Sequence, residues 1–238
     1  GTGFYLKYRD FPFILTAAHV VQDNSLPYIT AYNDDGFSMR TKVLSISDKS
    51  DLAVLSVPKG KLDFVTPWTL ALKEPQIGND LFSMGYPNGR ERQTNKVSLL
   101  NKEEEVNDNK FYLHDKGTIT FGASGSPLSK SQYPSELFGV VAAVDKDLPL
   151  AVSVPLPQIK ILLGETIKKI LFTPELNQKY LPMYPAFAKR YENVLTKYNL
   201  FPMQKPLITI DNITPNALNT NFQPVAINAN VNKALSPS

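Results

Sequence analysis

Three short segments follow one another along this chain of 238 residues. They are Leu15-Thr16-Ala17-Ala18-His19, Asp51-Leu52-Ala53-Val54-Leu55 and Gly122-Ala123-Ser124-Gly125-Ser126-Pro127. Together they hold a histidine, an aspartate and a serine, the residue types that nucleophilic catalysis by serine requires. A serine hydroxyl is a poor nucleophile at neutral pH. It needs a base within hydrogen-bond reach, and that base needs an orienting group that also stabilises its charged form. The chain contains only two histidines, so the base is His19 or His114.

Each candidate has its own setting. Small residues flank Ser124, so a substrate carbonyl can approach the backbone, and the N–H groups of Gly122 and Ser124 can converge on the oxyanion of a tetrahedral intermediate. An α/β-hydrolase elbow would place glycine two residues after the serine, but Ser126 stands there. His19 follows an apolar strand pattern and two alanines, which let an imidazole lie over a nucleophile. His114 sits ten residues before Ser124 on a strand expected to run into the serine loop; it reads as a structural or surface histidine. Asp51 opens an apolar strand, where a carboxylate is costly unless hydrogen-bonded. An imidazole Nδ1–H is a fitting donor and leaves Nε2 free as the base. Asp48 and Asp23 lie in turn-like surroundings and read as solvated loop carboxylates.

The elements that must carry these residues change character along the chain. From Gly1 to about Val154 the signals are mostly β: Phe4–Leu6, Phe13–Leu15, Tyr28–Tyr32, Lys42–Ile46, Leu52–Val57, Asp80–Met84, Lys96–Leu100, Phe111–His114, Leu137–Val144 and Leu150–Val154. Short strands with turn clusters between them predict a β-barrel or sandwich class. The run Glu103-Glu104-Glu105 reads as a solvated loop. After Pro155, Ile159, Leu162, Leu163, Ile167, Ile170 and Leu171 recur at helical spacing and predict a helix from Pro157 to Phe172. A second helix is expected from about Ala186 to Tyr198, with Phe187, Tyr191, Val194, Leu195 and Tyr198 on one side. From about Asp211 the chain is Asn-rich and poor in charge and reads as an extended arm or flexible tail.

Composition removes several classes. There is no cysteine, so disulfides, thiolate metal sites and thiol catalysis are excluded. The formal net charge is only +3, and no basic run interleaved with aromatics stands out, which argues against nucleic-acid binding. No apolar stretch is long enough for a membrane-spanning helix. Gly1-Thr2-Gly3-Phe4 opens inside a strand pattern with no signal peptide, and residues are expected to precede it.

These residues resemble the chymotrypsin-fold serine peptidases, nearest the cysteine-free, bacterial-type branch with HtrA-like and V8-like members. The likeness runs from Gly1 to about Phe172. Gly1-Thr2-Gly3-Phe4 resembles the first recognisable strand, and the segments around His19, Asp51 and Ser124 resemble the histidine, aspartate and serine motifs. Gly85-Tyr86-Pro87 resembles a turn common in the branch. The resemblance implies a mostly β fold with two antiparallel six-stranded barrels, His19 and Asp51 from the first and Ser124 from the second. A closing helix and a partly helical, then Asn-rich extension would follow. The protease domain would occupy 1–173 and the extension 174–238. Ala123 stands where animal digestive members carry Asp, which removes the animal-type zymogen switch. The extension does not resemble a PDZ domain.

The family pattern also implies a primary pocket walled by Thr118, Ile119, Thr120 and Phe121 and by Val141, Ala142, Ala143 and Val144. Thr118 falls where Arg/Lys-cutting members have Asp, and Val141 where glutamate-cutting members have His. The expected preference is for small or medium aliphatic side chains. The function read from the sequence is a serine endopeptidase with the triad His19, Asp51 and Ser124 and an oxyanion hole from Gly122 and Ser124. It needs no metal or organic cofactor, and its partners are protein or peptide substrates. The family leans toward a secreted or periplasmic setting, and the sequence gives no reading of oligomeric state. The alternatives are a catalytically silent peptidase-like binding protein and a self-processing domain of a polyprotein.

Overall fold

In the computed structural model, the described residues are 1–22, 28–33, 35–106, 108–201 and the backbone of 225–228. Strands β1 (Thr2–Tyr8) and β2 (Phe11–Thr16) form an antiparallel hairpin. Its turn residues Arg9 and Asp10 both have positive φ, 49° and 67°, as a two-residue hairpin turn demands. Every residue of β2 is buried. Pro12 within it faces Lys7 of β1, and the ladder to the next strand begins only at Phe13, so the missing proline N–H breaks no pairing.

The rest of the first half supplies β3 (Ile29–Tyr32), β4 (Ser38–Thr41), β5 (Val43–Ser47) and the fully buried β6 (Leu52–Ser56). After the short β7 (Thr69–Leu70), the second half supplies β8 (Asp80–Gly85), β9 (Gln93–Val106), β10 (Asn109–Asp115), β11 (Pro127–Ser129), β12 (Glu136–Val144) and β13 (Leu150–Pro155). In this half β11 pairs with both β8 and β12, closing a six-stranded barrel in the order β11-β8-β9-β10-β13-β12. Its core holds Leu81, Val97, Leu99, Tyr112, Leu128 and Phe138.

The first half departs from the expected six-stranded barrel. A C-terminal strand, β14 (Val225–Asn228), inserts between β3 and β1, giving a seven-stranded sheet in the order β4-β3-β14-β1-β2-β6-β5. The end strands β4 and β5 are joined through Lys42 alone, so the sheet curls back on itself. Among the described residues no ladder joins those two strands. Ser56 holds the bend: its N–H donates to the Lys42 carbonyl at 2.9 Å, and its Oγ accepts from the Lys42 N–H at 3.1 Å.

Helix α1 (Leu156–Phe172) buries Ile159, Leu162, Leu163, Ile167, Ile170 and Leu171 and touches β5 and β6 of one sheet and β12 and β13 of the other. It ties the halves together with the stripe that the periodicity marks. Beyond it lie α2 (Pro174–Tyr180), a short 3-10 turn (Leu181–Met183), α3 (Pro185–Arg190) and α4 (Glu192–Lys197). The single helix expected over 186–198 is broken at Tyr191, whose N–H is shared between the carbonyls of Phe187 (3.3 Å) and Ala188 (3.2 Å). That shared bond tightens the turn and starts a new helix axis. The extension packs on the hairpin: Phe11 meets the rings of Tyr184, Phe187 and Tyr180 at centroid distances of 4.6, 4.8 and 5.8 Å. Arg190 pairs with Asp10 of the β1–β2 turn.

The acidic run also departs from expectation. Glu103, Glu104 and Glu105 lie within β9, paired to β10 through Glu104–Phe111 and Glu105–Lys110, and Lys110 Nζ reaches Glu103 at 3.2 Å. Cross-strand charge pairing compensates for the low β propensity of the run.

Candidate active site

His19 sits in a short 3-10 turn (Ala18–Val20) directly after β2. Asp51 directly precedes β6, the neighbour of β2, so the ladder that pairs Thr16 with Ala53 brings the two residues together. Asp51 Oδ2 lies 2.8 Å and Oδ1 3.0 Å from His19 Nδ1. Oδ1 also accepts the backbone N–H of His19 at 3.0 Å, and the Asp51 carbonyl accepts the N–H of Ala18 at 3.0 Å. One residue thus fixes both the ring and the main chain of the turn. Its φ of 50° is left-handed, a conformation that Asp tolerates better than most residues. The hydrogen bond that His19 Nδ1–H gives Asp51 pushes the His19 pKa above its ordinary value, more than burial lowers it. Nδ1 is committed to Asp51, which leaves Nε2 as the ring nitrogen available to another partner.

The other aspartates have plainer settings. Asp48 is exposed and accepts from Gln22 Nε2 at 2.8 Å, and Asp23 lies outside the described residues. His114 is fully buried, with Nδ1 2.7 Å from the Asp115 carbonyl and Nε2 2.8 Å from Ser153 Oγ. Burial pushes its pKa down. Both nitrogens are used inside the barrel, so it is a structural histidine and not a surface one.

Ser124 occupies the loop between β10 and β11. Gly122 and Gly125 on either side have φ of 91° and 89°, and both are hemmed in by backbone. A Cβ on Gly125 would lie 2.0 Å from the Thr2 carbonyl oxygen. Among the described residues the N–H groups of Gly122 and Ser124 have no acceptor, whereas those of Ala123, Gly125 and Ser126 are bonded within the fold. The N–H of Asn88 takes the Phe121 carbonyl at 2.7 Å. Across that trans peptide the Gly122 N–H must point the opposite way. Two unspent donors beside a serine are what an oxyanion hole requires. Ser124 Oγ has no hydrogen-bond partner among the described residues; catalytic bonds of this kind often tighten only with substrate.

The expected pocket residues divide. Ile119 and Val141 are buried in the barrel core. Thr118 bonds to Asn95 Oδ1, while Thr120, Phe121 and Ala143 are exposed and Val144 is half-buried. Ala142 and Ala143 line a cavity of about 470 Å3 together with Asp51, Val106, Phe111 and Val152. A further residue touches this loop that the sequence marked only as part of the first strand. Thr2 donates its N–H to the Ser124 carbonyl at 2.8 Å and its hydroxyl to the Gly122 carbonyl at 3.0 Å. Its place in a glycine-flanked opening segment was the only signal.

A closed six-stranded β-barrel beside a second curled sheet, with a helix following the barrel, fits a chymotrypsin-like fold. Solved structures share it. The active form of the Rv3671c protease from M. tuberculosis aligns with a TM-score of 0.56 at 22% identity, over 70% of this chain and 73% of that one. The serine endoprotease from Yersinia pestis aligns at 0.55 and 17%, over 68% and 56%. The model of the trypsin-like peptidase domain matches residues 1–140, and the chain belongs to that family. Curated relatives include the mitochondrial serine protease HTRA2 of Drosophila erecta, 24% identical over 204 residues, and that of Drosophila ananassae, 25% identical over 204. The alignments cover 82% of this chain but only 44% of those relatives.

Proposed function

We propose that this protein is a serine endopeptidase that cleaves peptide bonds through an acyl-enzyme. Ser124 Oγ attacks the scissile carbonyl as His19 Nε2 takes its proton. Asp51 holds the imidazole in the Nδ1–H tautomer and stabilises the imidazolium. The Gly122 and Ser124 N–H groups take the oxyanion. His19 then protonates the leaving amine, the C–N bond breaks, and a water activated by His19 releases the acyl group. The closed barrel and the curled seven-stranded sheet are the two walls of the cleft, the second standing in for the other barrel of the fold. The observation that carries this reading is the double hold of Asp51 on His19, ring and backbone at 2.8 and 3.0 Å. A carboxylate that merely capped a turn would not need the ring.

The primary pocket, with Thr118 and Val144 at its rim, is read as apolar and narrow, taking small or medium aliphatic side chains. A fluorophosphonate probe and a peptide library test both parts. Wild-type protein should be labelled and Ser124→Ala should not. Cleavage should follow aliphatic residues. Labelling that survives Ser124→Ala refutes the triad, and a profile dominated by Arg, Lys or Glu refutes the pocket.

A further inference from the structure

Thr2 is completely buried, and each of its polar atoms is engaged. Its N–H goes to the Ser124 carbonyl at 2.8 Å. Its hydroxyl donates to the Gly122 carbonyl at 3.0 Å and accepts the Tyr86 N–H at 2.9 Å. Its carbonyl accepts Thr16 Oγ1 at 2.6 Å. The first two bonds land on either side of Ala123, so Thr2 brackets the segment that carries both oxyanion donors and the nucleophile. The same residue lies directly opposite Ala226: β14 pairs with β1 through Thr2–Ala226 and Gly3–Val225, and with β3 on its other side. On β1 the ladder to β2 begins only at Gly3. At the position of Thr2, β14 is therefore the strand partner.

We propose that Thr2 is a positioning residue of the nucleophile loop, and that the C-terminal strand β14 holds it in register. The inference rests on the serine peptidase reading of that loop. Removing the Thr2 hydroxyl would leave the Tyr86 N–H and the Gly122 carbonyl without their shared partner in a buried setting. Removing β14 would make β1 an edge, and edge segments fray first. Either change displaces donors that must meet an oxyanion within a fraction of an ångström.

Three variants of the full chain test this: Thr2→Val, which keeps the shape and loses the hydroxyl, Thr2→Ser, which restores it, and Ala226→Pro, which cannot donate to a ladder. Two quantities are read. One is kcat per fluorophosphonate-titrated site, which discounts unfolded molecules. The other is amide hydrogen exchange in peptides covering 118–126. Thr2→Val and Ala226→Pro should lower kcat by about 10- to 100-fold, leave KM nearly unchanged and speed exchange in the loop. Thr2→Ser should behave as wild type, and the double variant should be no worse than the poorer single one. Should Ala226→Pro fail to fold, Ala226→Gly weakens the strand and keeps its N–H. Loop exchange and kcat that ignore these changes would overturn the inference, as would independent, multiplying effects at the two positions. A wild-type protein that neither cleaves nor takes the probe would remove the peptidase reading, while loop exchange would still decide the roles of Thr2 and β14.

Discussion

Asn88 stands so close to Gly122 that a Cβ on the glycine would lie 2.5 Å from the Asn88 nitrogen. The two residues lean on each other through unusual backbones, with φ of 54° at Asn88 and 91° at Gly122. The first turns an N–H toward the Phe121 carbonyl; the second leaves the room that this approach needs. Gly122→Ala should therefore abolish probe labelling even with the triad intact. Asn88→Val forces a β-branched residue into the left-handed region. It should cost about 1 to 2 kcal/mol, read as a lower midpoint in urea unfolding. Asn88→Gly should leave that midpoint close to the wild-type value.

Under the proposed mechanism the His19–Asp51 pair should set the pH dependence of activity. The base works only when neutral, and its pKa is raised by Asp51. The rate should therefore climb with pH through a midpoint above the ordinary imidazole value. In Asp51→Asn the midpoint should fall and kcat should drop by roughly 10^3- to 10^4-fold, both visible in a pH profile of kcat/KM. The raised pKa has a second sign. The stabilisation that the charged pair gives the fold is complete at low pH and fades as pH rises through the folded value.

His114 acts in the opposite direction. Burial depresses its pKa, so the folded protein resists a proton that the unfolded chain accepts. Its stabilising contribution is present above the ordinary imidazole value and is lost as pH falls toward the folded one. Urea midpoints measured across that window should fall with acidity, and a His114→Gln variant should lose the slope. Ser153→Ala leaves Nε2 unpartnered in the barrel and should cost about 1 to 3 kcal/mol.

Phe11 joins the hairpin to the helical extension. It is fully buried and meets Tyr180, Tyr184 and Phe187. Phe11→Ala should cost about 3 to 5 kcal/mol. It should also expose α2 and α3 to limited proteolysis before the closed barrel is cut.

The candidate triad is legible in the sequence because small residues and apolar strand signals surround each member, and those signals are local. His19 and Asp51 meet because each ends or begins a strand of the same ladder. The stripe of α1 is likewise visible, since burial follows its period directly. What stays hidden depends on distant pairing. Thr2 reads as one more strand residue until register places its hydroxyl against Gly122. Val225–Asn228 is a four-residue strand inside an Asn-rich stretch, too short for alternation to show. The break at Tyr191 is invisible because both halves of the pattern keep one phase. Ile119 and Val141 fall on pocket positions by the family pattern, yet both are buried in the barrel core, Ile119 from the loop after β10 and Val141 from β12.

The sheet order has a consequence in time. The outer neighbour of β1 is β14, more than two hundred residues further along the chain. β2 can pair with β1 as soon as the hairpin is complete, but the partner opposite Thr2 does not exist until residues 225–228 have been synthesised. Pairings so far apart along the chain form late. On the inference drawn above, the loop around Ser124 gains this support only once β14 has been made, so a nascent chain that already holds His19, Asp51 and Ser124 should stay inactive until that strand joins the sheet.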